Sequence, residues 1–292
     1  MVLPGPPVHH QRRALEVRHG VEVPPVVHER AVCRLASGAQ YARSMDDEQL
    51  RRRGWRGMVA FQRLIGRYGP GPAPLEREAF VASAVPKIPS SLINAACPRD
   101  DAPLAPHLDE IASFYERVPK WGAWIDPGNA ADAKALTDRG LVLDSRPVLM
   151  AAPLEAIEAP AQNLLVERTG MAEVGGVNDV AYGNPPGVIA AALGAFPATE
   201  VRGYGIRVEG ELACVVSVID VDGDAFVTMV ATLPHRRANH LASRLLAYTL
   251  DEAGQRGLTT TSLQASKLGQ GIYARLGYRA LGEVHLYEKR PQ

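Results

Sequence analysis

The sequence has few cysteines, no net charge and no long apolar run, and each absence excludes a class of protein. Cys33, Cys97 and Cys214 are its three cysteines, and their wide spacing argues against a disulfide framework and a structural zinc site. Because 32 basic residues balance 32 acidic residues, charge gives no reason to expect nucleic acid or an anionic membrane as a partner. No run of 18 apolar residues is present to form a transmembrane helix.

The composition is that of an ordinary globular protein. Of the 292 residues, 46% are hydrophobic and 22% are charged, which is enough to bury one large core or two small ones. Residues 1–30 are rich in Pro, His and Arg without a sustained period, so we predict a weakly structured extension there, with no signal peptide. Sparse, unpaired cysteines favour a reducing, cytoplasmic location.

The first half of the chain alternates predicted helices and strands. A helix over 46–67 begins with acidic residues and carries apolar residues at the helical period. Its arginines favour a solvated face over a nucleic-acid or phosphate patch; they are Arg51, Arg52, Arg53 and Arg56. The later elements are strands at 80–85, 121–125 and 141–151 and helices at 108–117 and 130–138.

The second half shows a clearer pattern. The expected strands are 164–168, 201–208, 211–219, 226–232, 258–264 and 284–287, and the expected helices are 174–182, 238–255 and 268–276. Asp222-Gly223 predicts a type I′ hairpin turn. A helix, a glycine and a strand recur at 135–150 and 273–286, so we predict two related domains.

One stretch, 227–287, carries a recognisable order of motifs: strand, proline, basic turn, long helix, strand, and a short helix with a tyrosine. This order resembles the GCN5-related N-acetyltransferase (GNAT) superfamily. The family's pyrophosphate loop, Arg/Gln-x-x-Gly-x-Gly/Ala, is matched by Arg237, Ala238, Asn239, His240, Leu241 and Ala242. A later family signature is matched by Tyr273-Ala-Arg-Leu-Gly-Tyr278. The resemblance covers 164–290 well and 31–152 only weakly.

The resemblance implies an α/β (α+β) fold with a mixed, mostly antiparallel twisted sheet flanked by helices. On this basis we expect a degenerate GNAT-like domain at 31–152, a linker at 153–163 and an acetyl-CoA-binding domain at 164–292. The first half lacks a basic, glycine-rich turn before a helix, so it is expected to bind no coenzyme A.

The resemblance also implies which residues would bind the acyl donor. Helix N-termini bind phosphate through unpaired N–H groups, so residues 237–242 would hold the pyrophosphate. The edge of the preceding strand would face pantetheine, at Val230, Ala231 and Thr232. Ser266 is a further candidate contact, with a helix-capping role as the alternative. His240 stands where the pattern has glycine, and Ala238, at a position that the pattern leaves open, also departs from the family's preference for glycine.

The resemblance implies an acyl-CoA-dependent N-acyltransferase that moves an acetyl group from acetyl-CoA to a primary amine on a small molecule or peptide, without a metal. Tyr273 would act as the general acid, with packing of the last helix as its alternative role. Asp224 is a candidate general base, with a solvated hairpin residue as the alternative. A catalytically silent relative that binds a ligand or partner is the competing interpretation, and a homodimer is left open.

Overall fold

The computed structural model describes residues 45–100, 102–157 and 165–290. The expected extension at 1–30, Cys33, and residues 158–163 of the expected linker lie outside these ranges. The elements of the first half are α1 (Asp47–Tyr68), β1 (Leu75–Glu76), β2 (Phe80–Ala82), β3 (Ala95–Pro98), α2 (Leu108–Phe114), β4 (Trp121–Ile125), α3 (Ala130–Asp138), β5 (Val142–Ser145) and β6 (Val148–Pro153). Those of the second half are β7 (Val166–Thr169), α4 (Met171–Tyr182), α5 (Val188–Leu193), β8 (Val201–Val208), β9 (Glu211–Val221), β10 (Asp224–Thr232), α6 (Leu241–Gln255), β11 (Thr260–Ala265), α7 (Gln270–Arg275), β12 (Arg279–Glu283) and β13 (His285–Lys289).

The strands form two mixed sheets. The first has the order β1-β2-β3-β4-β13-β5, and the second has the order β12-β6-β11-β10-β9-β8-β7. Each sheet has one parallel pair, β3 with β4 and β10 with β11, and its other neighbouring strands are antiparallel. The predicted fold class, mixed and mostly antiparallel sheet flanked by helices, is therefore confirmed.

The two sheets exchange strands across the boundary that the sequence suggested. Strand β6 pairs with β11 and β12 in the second sheet, and β13 pairs with β4 and β5 in the first. The single strand expected at 141–151 is wrong, because Pro147 lacks the N–H of a ladder hydrogen bond and the chain changes sheet there. Segments 31–152 and 164–292 therefore do not each build a separate sheet.

Helix α1 holds the two sheets together. It begins with a capping box between Asp46 and Gln49. Its apolar side chains belong to one core with residues of both sheets, including Trp124 and Phe226. Gly57 lets the helix approach β10 closely, since a Cβ at this position would lie 2.2 Å from the Phe226 ring. Folding of the first half is thus coupled to the second sheet.

The arginines of α1 contact the protein rather than forming only a solvated face. Arg51 donates to Asp126 at 2.5 Å and to the Leu281 carbonyl at 2.9 Å, which joins the two halves. Arg56 pairs with Asp100 at 3.0 Å. Such internal pairing leaves these two guanidinium groups engaged, which speaks against a nucleic-acid surface built on them.

The second sheet is covered on both faces. Helices α1 and α4 contribute apolar residues to the core on one face, together with Phe226. On the other face, α6 and α7 pack through Leu245, Leu250 and Tyr273 against Val227 and Leu263. The sheet thus separates α4 from α6 and α7, and any opening between its strands connects the two faces.

Candidate active site

The second sheet opens where its two parallel strands diverge. Strands β10 and β11 are paired from Asp224 and Thr260 as far as Val227 and Leu263. Beyond that point β10 has a bulge, with Met229 at a φ of 52°, and it continues along β9 alone. A V-shaped cleft results, with residues 228–232 on one wall and the end of β11 on the other.

The β10 wall presents backbone groups to this cleft. The Leu233 N–H donates to the Ala213 carbonyl of β9. In an antiparallel pair every second residue bonds to the neighbouring strand, so Ala231 also bonds to β9. The backbone groups of Thr232, between them, point away from β9 and into the cleft. The Val230 carbonyl accepts a 2.9 Å hydrogen bond from the Tyr182 hydroxyl at the end of α4. The backbone groups of Val230 and Thr232 therefore face the cleft, whereas those of Ala231 bond to β9.

Arg237 lies beside the cleft in a different role from the expected phosphate contact. Its guanidinium donates to the Thr232 carbonyl at 3.3 Å and to the Ala181 carbonyl at 2.8 Å. Together with Tyr182, it fastens the end of α4 to the edge of β10. Two carbonyls at the cleft are consequently occupied by the protein's own donors.

A candidate anion-binding loop, residues 237–240, lies between β10 and α6. Helix α6 begins at Leu241 rather than at Ala238, as the sequence had suggested, because Ala238 and His240 adopt left-handed φ values of 65° and 54°. Within the described chain, the N–H groups of residues 238–243 have no hydrogen-bond acceptor. Asn239 steadies the loop by donating to the Arg236 carbonyl at 3.2 Å. Successive free N–H groups before a helix form a concave site for phosphate.

Ala238 and His240 therefore adopt the left-handed backbone conformation that usually requires glycine. Both residues are exposed, so neither side chain is forced over the N–H groups. A left-handed conformation costs a residue with a Cβ roughly 1–2 kcal/mol. Ala238 and His240 are thus tolerated at an energetic cost, and the loop geometry is retained.

His240→Gly should remove this cost. We expect a more stable fold and acetyl-CoA binding that tightens by about tenfold or less, or ~1.4 kcal/mol. His240→Ala is the matched control, because it removes the ring but keeps the Cβ in the left-handed region, so it should not tighten binding. Calorimetric titration with acetyl-CoA at pH 6 and pH 8 measures both variants.

Two results would contradict this interpretation of His240. Wild-type protein that binds no acetyl-CoA, with binding rescued only by glycine, would mean that the loop is blocked. Tighter wild-type binding at pH 6 than at pH 8, absent from the glycine variant, would show that a charged imidazole itself contacts the phosphates.

Tyr273 provides an unpaired hydroxyl at the site. Its ring, 8% exposed, packs edge-on against Tyr278 with 5.9 Å between ring centroids. Within the described residues its hydroxyl has no hydrogen-bond partner. Burial raises its pKa well above the usual value for a phenol, and the nearby Tyr182 and Cys214 raise it further. The group stays protonated at neutral pH, so it can donate a proton.

Asp224 lies outside the cleft. Its carboxylate is fully buried at the closed end of the β10–β11 pair, where it accepts hydrogen bonds from Thr260 at 2.6 Å and Ser262 at 2.5 Å. Burial raises its pKa to about 6, although both hydroxyl donors and nearby Arg53 lower it. This position at the closed end of the strand pair argues against the general-base role, and the burial of Asp224 contradicts the alternative of a solvated hairpin residue.

Ser266 contacts the turn before α7, although Gly269 rather than Ser266 is the N-cap residue of that helix. Its hydroxyl accepts a 3.3 Å hydrogen bond from the Gly269 N–H, just before α7. Two residues at the cleft, Tyr182 and Asn178, were not predicted from the sequence. The Asn178 side-chain amide donates to the Met229 carbonyl at 3.1 Å. Both lie on α4, and neither belongs to a motif; only the topology brings that helix to the bulge.

Part of this chain matches a known family model, and its fold matches that of solved structures. Residues 200–281, which include the cleft, the anion-binding loop and Tyr273, match the model of an acetyltransferase (GNAT) domain. A GCN5-related N-acetyltransferase from Kribbella flavida has 19% identity and a TM-score of 0.59, over 82% of this chain and 96% of that one. A GNAT-family structure from Novosphingobium aromaticivorans has 16% identity and a TM-score of 0.52, over 80% and 97%.

A third structure, a GCN5-related N-acetyltransferase from Sphaerobacter thermophilus, has 16% identity and a TM-score of 0.51, over 73% and 78% of the two chains. No match was found among curated proteins. Residues 200–281 thus match a GNAT acetyltransferase domain and the fold is that of GNAT structures, so the resemblance drawn from the motifs in this part of the chain is confirmed.

The described residues contain neither a membrane-spanning helix nor a metal-binding cluster. None of their helices is long and apolar enough to cross a membrane. Nor do they bring three or more His, Cys, Asp or Glu side chains together in a group that could hold a metal ion.

Proposed function

We propose that this protein is an acyl-CoA-dependent N-acyltransferase, which transfers an acetyl group from acetyl-CoA to a primary amine by direct attack. The observation that carries the proposal is the junction of three features: a cleft between parallel strands, an anion-binding loop at its open end, and the protonated hydroxyl of Tyr273. Acyl transfer is the general chemistry of the GNAT acetyltransferase domain that residues 200–281 match.

The residues present fit an acyl-CoA donor. The free N–H groups of residues 238–243 suit its pyrophosphate. The backbone of Val230 and Thr232 suits the amides of pantetheine, as an added strand would. For this to happen, Tyr182 and Arg237 must release the two carbonyls that they occupy. Donor binding is therefore expected to loosen the end of α4.

The transfer is balanced without any further reactant. A primary ammonium, with a pKa near ~10, first loses a proton to solvent water. The amine nitrogen then attacks the thioester carbonyl carbon, so a C–N bond forms and the C–S bond breaks. The departing thiolate takes the proton of the Tyr273 hydroxyl, and the nitrogen of the new amide loses its extra proton to water. A proton from water then returns to Tyr273 and restores its phenol. In this scheme Asp224 takes no proton.

We propose that the first half supports the site and binds no coenzyme A. Its own parallel pair is β3 with β4, and Trp55 of α1 contacts the end of β3, where its indole N–H donates to the Pro98 carbonyl at 2.7 Å. The adjoining groove, of about 350 Å³, is lined by three aspartates that would repel phosphate: Asp100, Asp126 and Asp132. A cytoplasmic location is part of the proposal, in keeping with the free, buried Cys97 and Cys214.

The test combines binding with turnover on the full chain. Calorimetry with acetyl-CoA should give one site per chain, and saturating acetyl-CoA should stabilise the fold by about 2–4 kcal/mol. Release of free thiol on addition of primary amines, from amino acids to peptides and polyamines, should exceed the rate without amine. Binding without turnover on any amine would favour a silent relative, and two sites per chain would overturn the role given to the first half.

A further inference from the structure

Gln264 stands at the narrow end of the cleft. It is the next residue of β11 after Leu263, the last to pair with β10. Thr260 and Ser262 point towards α1, where they meet Asp224. Because side chains alternate along a strand, Gln264 shares that face of the sheet. Its amide therefore lies where the two strands part, on the side covered by α1 and α4.

The Gln264 amide is also chemically unusual. Its Nε2 atom is itself closed off from solvent and has no hydrogen-bond partner, and no other side-chain nitrogen or oxygen of the described residues combines these two properties; the unpaired Tyr273 hydroxyl oxygen keeps some exposure. Gln62, a fully buried glutamine, shows the ordinary arrangement: its Nε2 donates to the Leu92 carbonyl at 3.0 Å and its Oε1 accepts from Ser83 at 2.6 Å. An unpaired buried donor is destabilising, so it requires an explanation.

The direction of the cleft suggests the missing partner. Strand β10 runs from the narrow end to Thr232, and the anion-binding loop follows at the open end. An acyl donor whose pyrophosphate lies on that loop must extend its thioester back towards the narrow end. The reacting carbonyl would thus arrive beside Gln264, opposite the β10 bulge.

We propose that the Gln264 Nε2–H donates a hydrogen bond to the carbonyl oxygen of the acyl thioester; the proposal rests on the acyltransferase function above. When the amine attacks, an electron pair of the carbonyl moves onto this oxygen. A neutral amide donor steadies that charge without giving up its proton. Because the donor has no partner to release, it is ready before the reaction begins.

The test uses Gln264→Met, which keeps the length of the side chain and removes the donor, and Gln264→Glu, which keeps its shape. We expect turnover to fall about 100-fold in both. Affinity for acetyl-CoA should fall several-fold, whereas affinity for free coenzyme A, which has no thioester carbonyl, should not change. The melting temperature of Gln264→Met should equal or exceed that of the wild type, because an unpaired donor has been removed.

Gln62→Met is the matched control. It removes an amide that has both partners, so it should lower the melting temperature and leave turnover per folded molecule unchanged. The ratio of acetyl-CoA to coenzyme A affinity should also stay the same in this variant. A structural glutamine and a substrate-binding glutamine therefore give opposite patterns of stability and activity.

Specific results would overturn the assignment. If Gln264→Met leaves turnover and the affinity ratio unchanged, Gln264 does not contact the carbonyl. If Gln264→Met lowers the melting temperature and weakens the binding of acetyl-CoA and coenzyme A equally, the role of Gln264 is structural. If the wild type binds acetyl-CoA but acylates no amine, the proposed function fails, while the affinity ratio still decides whether Gln264 contacts the thioester.

Discussion

Tyr273→Phe should lower turnover about 10²–10⁴-fold while leaving the Kd for acetyl-CoA within about twofold. The hydroxyl has no partner within the described residues, so its removal leaves no group unsatisfied and the ring can still pack on Tyr278. Without it, the thiolate must leave without a proton from a positioned acid. Steady-state kinetics with saturating amine, together with calorimetry, separates the chemical step from donor binding.

Tyr278→Phe provides the control for Tyr273→Phe. The Tyr278 hydroxyl lies 2.8 Å from the Thr261 hydroxyl inside the core, so its loss should lower stability and spare turnover. Because burial raises the pKa of Tyr273, the wild-type rate should not decline between pH 8 and pH 10 through loss of this proton. Equal turnover in wild type and Tyr273→Phe would assign the residue to packing.

Local features were those that the sequence predicted best. Gly140, Gly257 and Gly277 follow the ends of their helices with left-handed φ values, as glycine after a helix suggested. The Asp222-Gly223 turn has φ values of 48° and 78°, as type I′ requires. These signals depend on backbone preferences of a few neighbouring residues, so a sequence alone can reveal them.

Long-range placement could not be predicted in the same way. The apolar run of β6 and the apolar alternation of β13 indicate strands, but nothing in either pattern says which sheet each strand joins. The position of Tyr182 at the cleft depends on where α4 ends relative to the bulge in β10. The partnerless state of Gln264 follows from packing around the whole cleft, and no spacing rule applies to it.

Asp224 is a further residue whose environment the sequence did not reveal. Its place after Asp222-Gly223 suggested a solvated turn or a base near the reacting centre, because a hairpin residue is commonly exposed. Packing of α1 on the sheet buries it instead, with Arg53 bonded to Thr260 at 2.9 Å close by. Burial of this carboxylate therefore affects the stability of the fold rather than catalysis.

The free energy of unfolding of the wild type should decrease as pH rises, and Asp224→Asn should abolish this decrease. The pKa of Asp224 is about 6 in the folded chain and near ~3.9 in the unfolded chain, so the folded state binds more protons between these values. Stability is therefore highest below pH 4 with respect to this group, and it falls by roughly 3 kcal/mol towards pH 7. Urea unfolding of both proteins from pH 4 to pH 8 gives the difference directly.

Asp222→Asn is the matched control, because the Asp222 side chain is 60% exposed and asparagine also tolerates its left-handed φ. Its stability should follow the wild-type pH profile. Turnover of Asp224→Asn should stay close to wild type at pH 8, since the carboxylate lies at the closed end of the strand pair. A variant that keeps the wild-type stability profile but loses most of its turnover would restore Asp224 as the base. That result would require the β10–β11 pair to open as far as Asp224 during catalysis.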